Sequence, residues 1–210
     1  NGYNTIIIGA ADESGNKGEV IVNGSLRISM PAQVDGTLTI NRKVWAFGGA
    51  TTTVNGALTV SEGANMSCNR LAGTGTITNN GTISAGQKGA VKLGNNATVV
   101  NNGTIETTAA GENGITAKHY DPEDDGIDTF AHGLDLANNS GGKITGMKHG
   151  VTGEGKAAIS NNGRIEGRGG SGLNWDWNAA LQQDDKYVVT VVNGKDGVIS
   201  GTGDATTLDG

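Results

Sequence analysis

The string NNGTI stands at 79–83 and again at 101–105, and returns as NNGRI at 161–165. A looser copy, NNSGGKITG, spans 138–146. With the isoleucine as marker, Ile83 to Ile105 is a step of 22 residues and Ile144 to Ile165 a step of 21. A fixed period in this range marks a solenoid, whose repeats cannot bury their apolar side alone and do so by stacking on their neighbours.

Each period divides further. After NNGTIS (79–84) come GAVKL (89–93) and NATVV (96–100), and then the next NNG. After NNGTIE comes NGITA (113–117). After NSGGKITG come HGVTG (149–153) and KAAIS (156–160), and after NNGRIEG comes SGLNW (171–175). Three short β-branched runs per period, separated by Gly- or Asn-rich corners, read as three strands per coil. The fold expected is all-β: a right-handed parallel β-helix, a three-faced solenoid with about 22 residues per coil and coils about 4.8 Å apart. Ile, Val and Leu take the inward positions and Thr, Ser, Lys and Glu the outward ones. Ile83, Ile105, Ile144 and Ile165 should form one interior column.

The corner accounts for the repeated letters. Gly supplies positive φ without a Cβ clash and Asn tolerates the left-handed region, so NNG suits a sharp turn. Asn80, Asn102, Asn139 and Asn162 should stack and hydrogen-bond up the column. The first third is less regular. VNGSLRI (22–28), VDGTLTI (34–40) and VNGALTV (54–60) share a pattern, but Gly24 to Gly36 is 12 residues and Gly36 to Gly56 is 20. They read as early coils with shorter or longer corners. The apolar run 5–8 reads as a cap on an open solenoid end, which needs one because its edge is unpaired. The last residues, GTGDATTLDG, show no such cap, which points to a segment of a longer protein.

Composition narrows the function. The chain has 37 glycines among 210 residues without a collagen triplet, and a net charge of −6. An acidic surface disfavours nucleic acid. The single cysteine, Cys68, reads as a small buried hydrophobe. No apolar run is long enough for a membrane-spanning helix, so no membrane insertion is expected of this segment, and no secretory leader pattern opens it.

The motifs NNGTI, NSGGKITG, NNGRIEG and NGKDGVISG resemble those of bacterial autotransporter passenger domains, the type V secreted surface proteins, over roughly residues 70–210 and weakly before that. The resemblance implies a right-handed β-helix displayed outside a Gram-negative cell, in a family of adhesins, aggregation factors and virulence factors. Scarce cysteine fits a passenger that crosses the outer membrane unfolded. The GxSxG motif does not occur, and GGSGL at 169–173 does not match it, so no catalytic residue carries over.

The repetition breaks twice. Ile105 to Ile144 is 39 residues and Ile165 to Ile199 is 34. The excess lies in loops 118–133 and 176–186, each after the second strand of a coil and before the third. Equivalent insertions in a solenoid leave one edge. One normal coil separates them, so their roots should lie two rungs, about 10 Å, apart. The loops and their margins hold five of the eight aromatics: Tyr120, Phe130, Trp175, Trp177 and Tyr187. They also hold Asp121, Glu123, Asp124, Asp125, Asp128, Asp176, Asp184 and Asp185, with His119 and His132. Aromatic faces beside carboxylates suit a sugar, whose C–H groups stack while Asp takes hydroxyls. The candidate ligand-binding set is Tyr120, Asp121, Asp124, Asp125, Asp128, Trp175, Asp176, Trp177 and Tyr187, with no catalytic residue, metal or cofactor.

Sharper chemistry fits less well. DPEDDGI places Asp121, Glu123 and Asp125 before Gly126, a fragment of a calcium loop, but position twelve is His132 rather than Glu. His119, His132 and His149 lack zinc-ligand spacing. The leading expectation is a non-enzymatic extracellular adhesin or self-associating (aggregation or biofilm) module. Its partner would be a host-surface glycan or protein, or a second copy along the β-helix faces. The alternative is a β-helical polysaccharide lyase or glycoside hydrolase. Its acids would come from Asp121–Asp128 and Asp184–Asp185, with Lys118 and Lys186 beside them. Ice or surface binding through TLT (37–39) and TIT (76–78) is disfavoured on the ground that Glu106 and Arg164 interrupt the column.

Overall fold

Residues 5–86, 91–93, 97–117, 133–176, 188–202 and 206–208 are described by a computed structural model of the chain. Short β-branched runs alternate inward and outward side chains with period two, and corners follow each run, so the chain coils rather than folding back. Among the described residues every strand-to-strand ladder is parallel and none is helical. Each coil adds one strand to each of three faces.

The first face follows the NNG corner. It carries Ser25–Ile28, Thr82–Ala85, Thr104–Thr107, Lys143–Gly146, Arg164–Gly167 and Val198–Gly201. The second face carries Ile6–Ile8, Ala32–Val34, Val91–Leu93, Ile115–Ala117, Val151–Glu154, Leu173–Asp176 and Thr206–Leu208. Two long strands, Lys43–Val54 and Asn65–Gly73, run through both faces and join them into one sheet of 15 strands. The third face is a sheet of eight: Glu19–Val22, Thr37–Ile40, Ala57–Val60, Thr76–Asn79, Ala97–Asn101, Gly133–Asn138, Lys156–Asn161 and Val189–Asn193. The three-faced parallel β-helix is therefore the fold.

Register confirms the marker column. Ile83 pairs with Ile105, Ile105 with Ile144, Ile144 with Ile165 and Ile165 with Ile199. The first four are fully buried, each worth about 1.5–3 kcal/mol of transfer free energy relative to exposure. Coil length is less uniform than the repeat suggests. On the third face, Glu19, Thr37, Ala57, Thr76 and Thr98 occupy one register position, giving steps of 18, 20, 19 and 22. The three similar patterns of the first third sit at two different corners. Gly24 precedes a first-face strand, whereas Gly36 and Gly56 precede third-face strands. This explains the uneven 12 and 20. The run 5–8 is not a separate cap: Ile6–Ile8 pairs with Ala32–Val34 as the first strand of the second face.

The NNG corner has a different physical basis from the one expected. None of Gly81, Gly103, Gly142 and Gly163 has a positive φ. Their requirement is space. An added Cβ would lie 2.3 Å from the Ala64 carbonyl at Gly81, 2.0 Å from Gly81 O at Gly103, 2.5 Å from Asn101 O at Gly142 and 2.2 Å from Gly142 O at Gly163. Each glycine lets the backbone of one coil rest on the carbonyl of the coil beneath.

The two asparagines do separate jobs. The second Asn of the first three motifs forms the expected surface ladder, which does not continue to Asn162: Asn102 Nδ2 donates to Asn80 Oδ1 (2.7 Å) and Asn139 Nδ2 to Asn102 Oδ1 (2.8 Å). The same column continues downward through Ser61, Asn41 and Asn23. The first Asn points inward and builds a buried ladder that sequence reading missed. Asn79, Asn101, Asn138 and Asn161 are fully buried. Each donates Nδ2 to the Oδ1 above it, at 2.8, 2.8, 2.7 and 2.7 Å, ending on Asn193. Buried amides are tolerated because each finds partners. Below Asn79 the column turns apolar, with Val60, Ile40 and Val22 at the same register. Asn79 Oδ1 is left without a partner.

Candidate functional site

The corner between the second and third faces is the part of the coil that varies most. In the first coil it spans residues 9–18, and in the next three it is a two-residue turn: Asp35–Gly36, Asn55–Gly56 and Thr74–Gly75. The Asp35 carboxylate accepts hydrogen bonds from Asn55 Nδ2 (3.0 Å) and Gln33 Nε2 (2.9 Å), which hold its carboxyl below the ordinary carboxylate range. In one later coil a single residue, Gly155, joins Val151–Glu154 to Lys156–Asn161, with φ of 79°. On either side of that coil, the same corner is where the long insertions leave.

Backbone register places the roots. Ile115–Ala117, which precedes the first insertion, pairs with Val151–Gly153, which pairs with Leu173–Trp175 before the second. On the far side, Gly133–Asn138 pairs with Lys156–Asn161, whose strand pairs with Val189–Asn193. Both insertions therefore leave one corner, two rungs apart, as the spacing predicts. Of the candidate residues, Tyr120, Asp121, Asp124, Asp125, Asp128, Trp177 and Tyr187 lie outside the described residues, as do the calcium-loop pattern at 121–132 and the imidazoles of His119 and His132. Asp176 ends the Leu173–Asp176 strand, in register with Glu154.

Trp175 is corrected by the structure. It alternates inward, is fully buried, and its Nε1–H donates to the Gly155 carbonyl at 2.9 Å. Its ring occupies space vacated by Gly153 one coil below, where an added Cβ would come within 2.3 Å of Cη2. Trp175 is thus a floor tying the single-residue corner to the coil above, and no ring face is free for a sugar. The signal was in the sequence: in SGLNW, Leu173 and Trp175 are two apart and share a face.

The described groups that do surround the roots were not in the candidate set. Glu154 is half-buried, while Lys156 and Asp135 are exposed. On the second face just before the corner, Thr116, Thr152 and Asn174 share one register column. Asn174 Nδ2 donates to Thr152 Oγ1 at 3.1 Å. Thr152 is only 1% exposed, although it occupies an outward position. His149 belongs to a different corner, between the first and second faces. Its Nδ1 accepts from the Ser171 backbone N–H at 3.0 Å, which makes it a corner brace. Among the described residues, no group of three or more His, Cys, Asp or Glu is arranged to hold a metal ion.

Contrary to expectation, Glu106 and Arg164 do not interrupt the threonine columns. Glu106 and Arg164 lie on the first face, whereas the TLT and TIT strands lie on the third. The outward positions there run Thr37, Ala57, Thr76, Thr98 in one column and Thr39, Thr59, Thr78, Val100 in the next. These two columns carry no charge; Glu19 flanks them on one side and Asp135 on the other.

Fold and site together define the class: a three-faced parallel β-helix with two insertions stacked at one corner. No protein-family model, curated protein or solved structure matches the chain.

Proposed function

We propose that this chain is a non-enzymatic binding scaffold of the bacterial cell surface, an adhesin or self-associating module, whose main ligand surface is formed by loops 118–133 and 176–186. The observation that carries this reading is the shared root of the two insertions, two rungs apart on a rigid prism. Long insertions on a rigid scaffold are where binding residues collect. These two concentrate Tyr120, Trp177 and Tyr187 beside Asp121, Asp124, Asp125 and Asp128. Such a surface suits a host glycan or a sugar-bearing protein. The autotransporter-like motifs support an extracellular location. Replacing a stacking aromatic that anchors a ligand costs about 1–3 kcal/mol of binding. Trp177→Ala and Tyr120→Ala should therefore weaken attachment to host cells or to an immobilised glycan panel at least several-fold, with the melting temperature unchanged. Retained binding in both variants rejects the loop surface. Cleavage of an acidic polysaccharide by the purified chain, abolished by Asp125→Ala, would favour the lyase or hydrolase alternative.

Self-association has its own surface under this proposal. The outward positions of the third face from Thr37 to Val100 form two uncharged columns, so a second copy can lie along them without charge repulsion. Many weak contacts along two such faces add up to avidity. Thr59→Lys, at the centre of that face, should abolish concentration-dependent dimerisation in sedimentation experiments. Dimerisation that survives the substitution places the contact elsewhere.

A further inference from the structure

The first face carries a second surface, independent of the loops. Register pairs Ser25 with Lys43 and Arg27 with Trp45, then Lys43 with Asn65 and Trp45 with Ser67. The next rung presents Thr82 and Ser84. Over these four rungs, the outward positions hold two cations, one indole and no carboxylate. The first acid on the face is Glu106, one rung further on. Lys43 Nζ stands 4.2 Å from the centroid of the Trp45 ring, Trp45 is half-buried, and Arg27 is exposed. Arg42, exposed at the corner just before Lys43, adds a third positive charge. Glu62 lies in the corner one coil above, and no ion pair joins it to Arg42. Among the described residues, none of Arg27, Arg42 and Lys43 is held in an ion pair. A chain with 21 acids to 15 bases has thus set two cations, Lys43 and Arg27, beside one partly exposed indole, with Arg42 at the adjoining corner.

The chemistry of that cluster selects its ligand. A guanidinium takes a carboxylate or sulfate in a two-pronged hydrogen bond. An indole takes the C–H face of a pyranose, and the ammonium resting on it adds positive charge beside the sugar. Asn65 and Ser67, joined to each other by a 3.0 Å hydrogen bond, offer amide and hydroxyl groups to sugar hydroxyls. Strands about 4.8 Å apart put Arg27, Trp45 and Ser67 across about 10 Å, the width of one or two sugar rings. A nucleic acid needs a longer basic track, and here the basic run is broken at Glu106, beyond which Lys143 and Arg164 share the face with Glu166.

We propose that the first-face cluster of Arg27, Lys43 and Trp45 binds an anionic polysaccharide, through its carboxylate or sulfate groups and one stacked sugar ring. The site lies on a different face from the loop roots and does not depend on the loop reading.

The test titrates the full chain with polygalacturonate, heparin and neutral dextran at low and high salt, following binding by calorimetry and Trp fluorescence. The expected result is salt-sensitive binding of polygalacturonate, heparin or both, and none of dextran. Which of the two binds tells carboxylate from sulfate. The double substitution Arg27→Gln with Lys43→Gln should weaken binding by about tenfold or more and flatten its salt dependence. Trp45→Thr, which keeps a strand-forming residue at an outward position, should weaken it by a similar factor. Neither set should shift the thermal melt. Failure of both anionic polymers to bind overturns the proposal, as does binding unaffected by both sets. Loss of binding on Trp177→Ala, with the first-face variants unaffected, moves the ligand to the loops and refutes this site.

Discussion

Cutting the buried amide ladder at its midpoint should be far more damaging than its surface twin suggests. In Asn138→Ala, Asn161 Oδ1 loses the Nδ2 that donates to it at 2.7 Å and stays fully buried. A buried acceptor left unmade costs about 1–3 kcal/mol. Asn101 Nδ2 loses its 2.8 Å bond to Asn138 Oδ1 but keeps the carbonyls of Gly103 (3.1 Å) and Lys143 (3.3 Å). The contacts from Asn138 Nδ2 to Gly142 O and Arg164 O, both 3.3 Å, vanish as well. With about 1 kcal/mol net for the weaker bonds together, the sum is about 2–4 kcal/mol. Asn102→Ala removes two equally short amide bonds, 2.7 and 2.8 Å, but at an exposed corner where water replaces them. Its cost should stay below about 1 kcal/mol. Asn79→Val provides a third comparison. The ladder already has an orphan oxygen at Asn79, and the substitution moves it one rung up, to Asn101, so the cost should be confined to the lost 3.0 Å bond from Asn79 Nδ2 to the Thr104 carbonyl, about 1 kcal/mol. Guanidinium unfolding followed by far-UV circular dichroism measures all three. Because a solenoid is held by neighbour-to-neighbour contacts, amide exchange should also quicken in the coils on both sides of Asn138. If Asn138→Ala proves as mild as Asn102→Ala, the inner ladder is not what holds these coils in register.

The remaining substitutions probe close approach and burial. Gly103→Ala, whose Cβ would lie 2.0 Å from the Gly81 carbonyl, should destabilise by about 3 kcal/mol or more in the same unfolding assay. Gly24→Ala, with nothing within 4 Å, should be close to silent there. Gly153→Ala should drive the Trp175 ring from its seat, costing about 1–3 kcal/mol and shifting tryptophan emission to the red. Burial pushes the Cys68 thiol up to about 12 from 9.0, so native protein should resist iodoacetamide at neutral and mildly alkaline pH and react once denatured. The linkage runs one way. The folded state favours the neutral thiol, so its contribution is fully present below pH 9.0 and is lost as pH rises through about 12.

Much of this architecture was legible because the coil repeats its chemistry at one spacing. The Ile83–Ile105–Ile144–Ile165 column and the equivalence of the two insertions follow from counting residues, since a stacked coil turns sequence offset into rung number. Less legible was anything that depends on which side of the strand a residue faces. Asn79 and Asn80 look interchangeable as letters, yet one enters a dry interior and the other lines the surface, because adjacent strand residues point to opposite sides. The same parity decides Trp175, which counting assigned to a loop margin and alternation puts in the core. Gly81 and Gly103 were read as conformational glycines, whereas a carbonyl from another coil is the constraint, and no local pattern reports it. Trp45 escaped notice for the opposite reason: Arg27, 18 residues earlier, becomes its neighbour only through the register.

The central functional claim is that two insertions, rooted two rungs apart, act as one surface. The most direct measurement is a double-mutant cycle between them. Attachment of the wild-type chain, Tyr120→Ala, Trp177→Ala and the double variant to the same glycan or host-cell surface would be compared by equilibrium binding. One shared ligand surface predicts non-additive losses, with a coupling of about 0.5 kcal/mol or more. Strictly additive losses, or attachment indifferent to both substitutions, would contradict it.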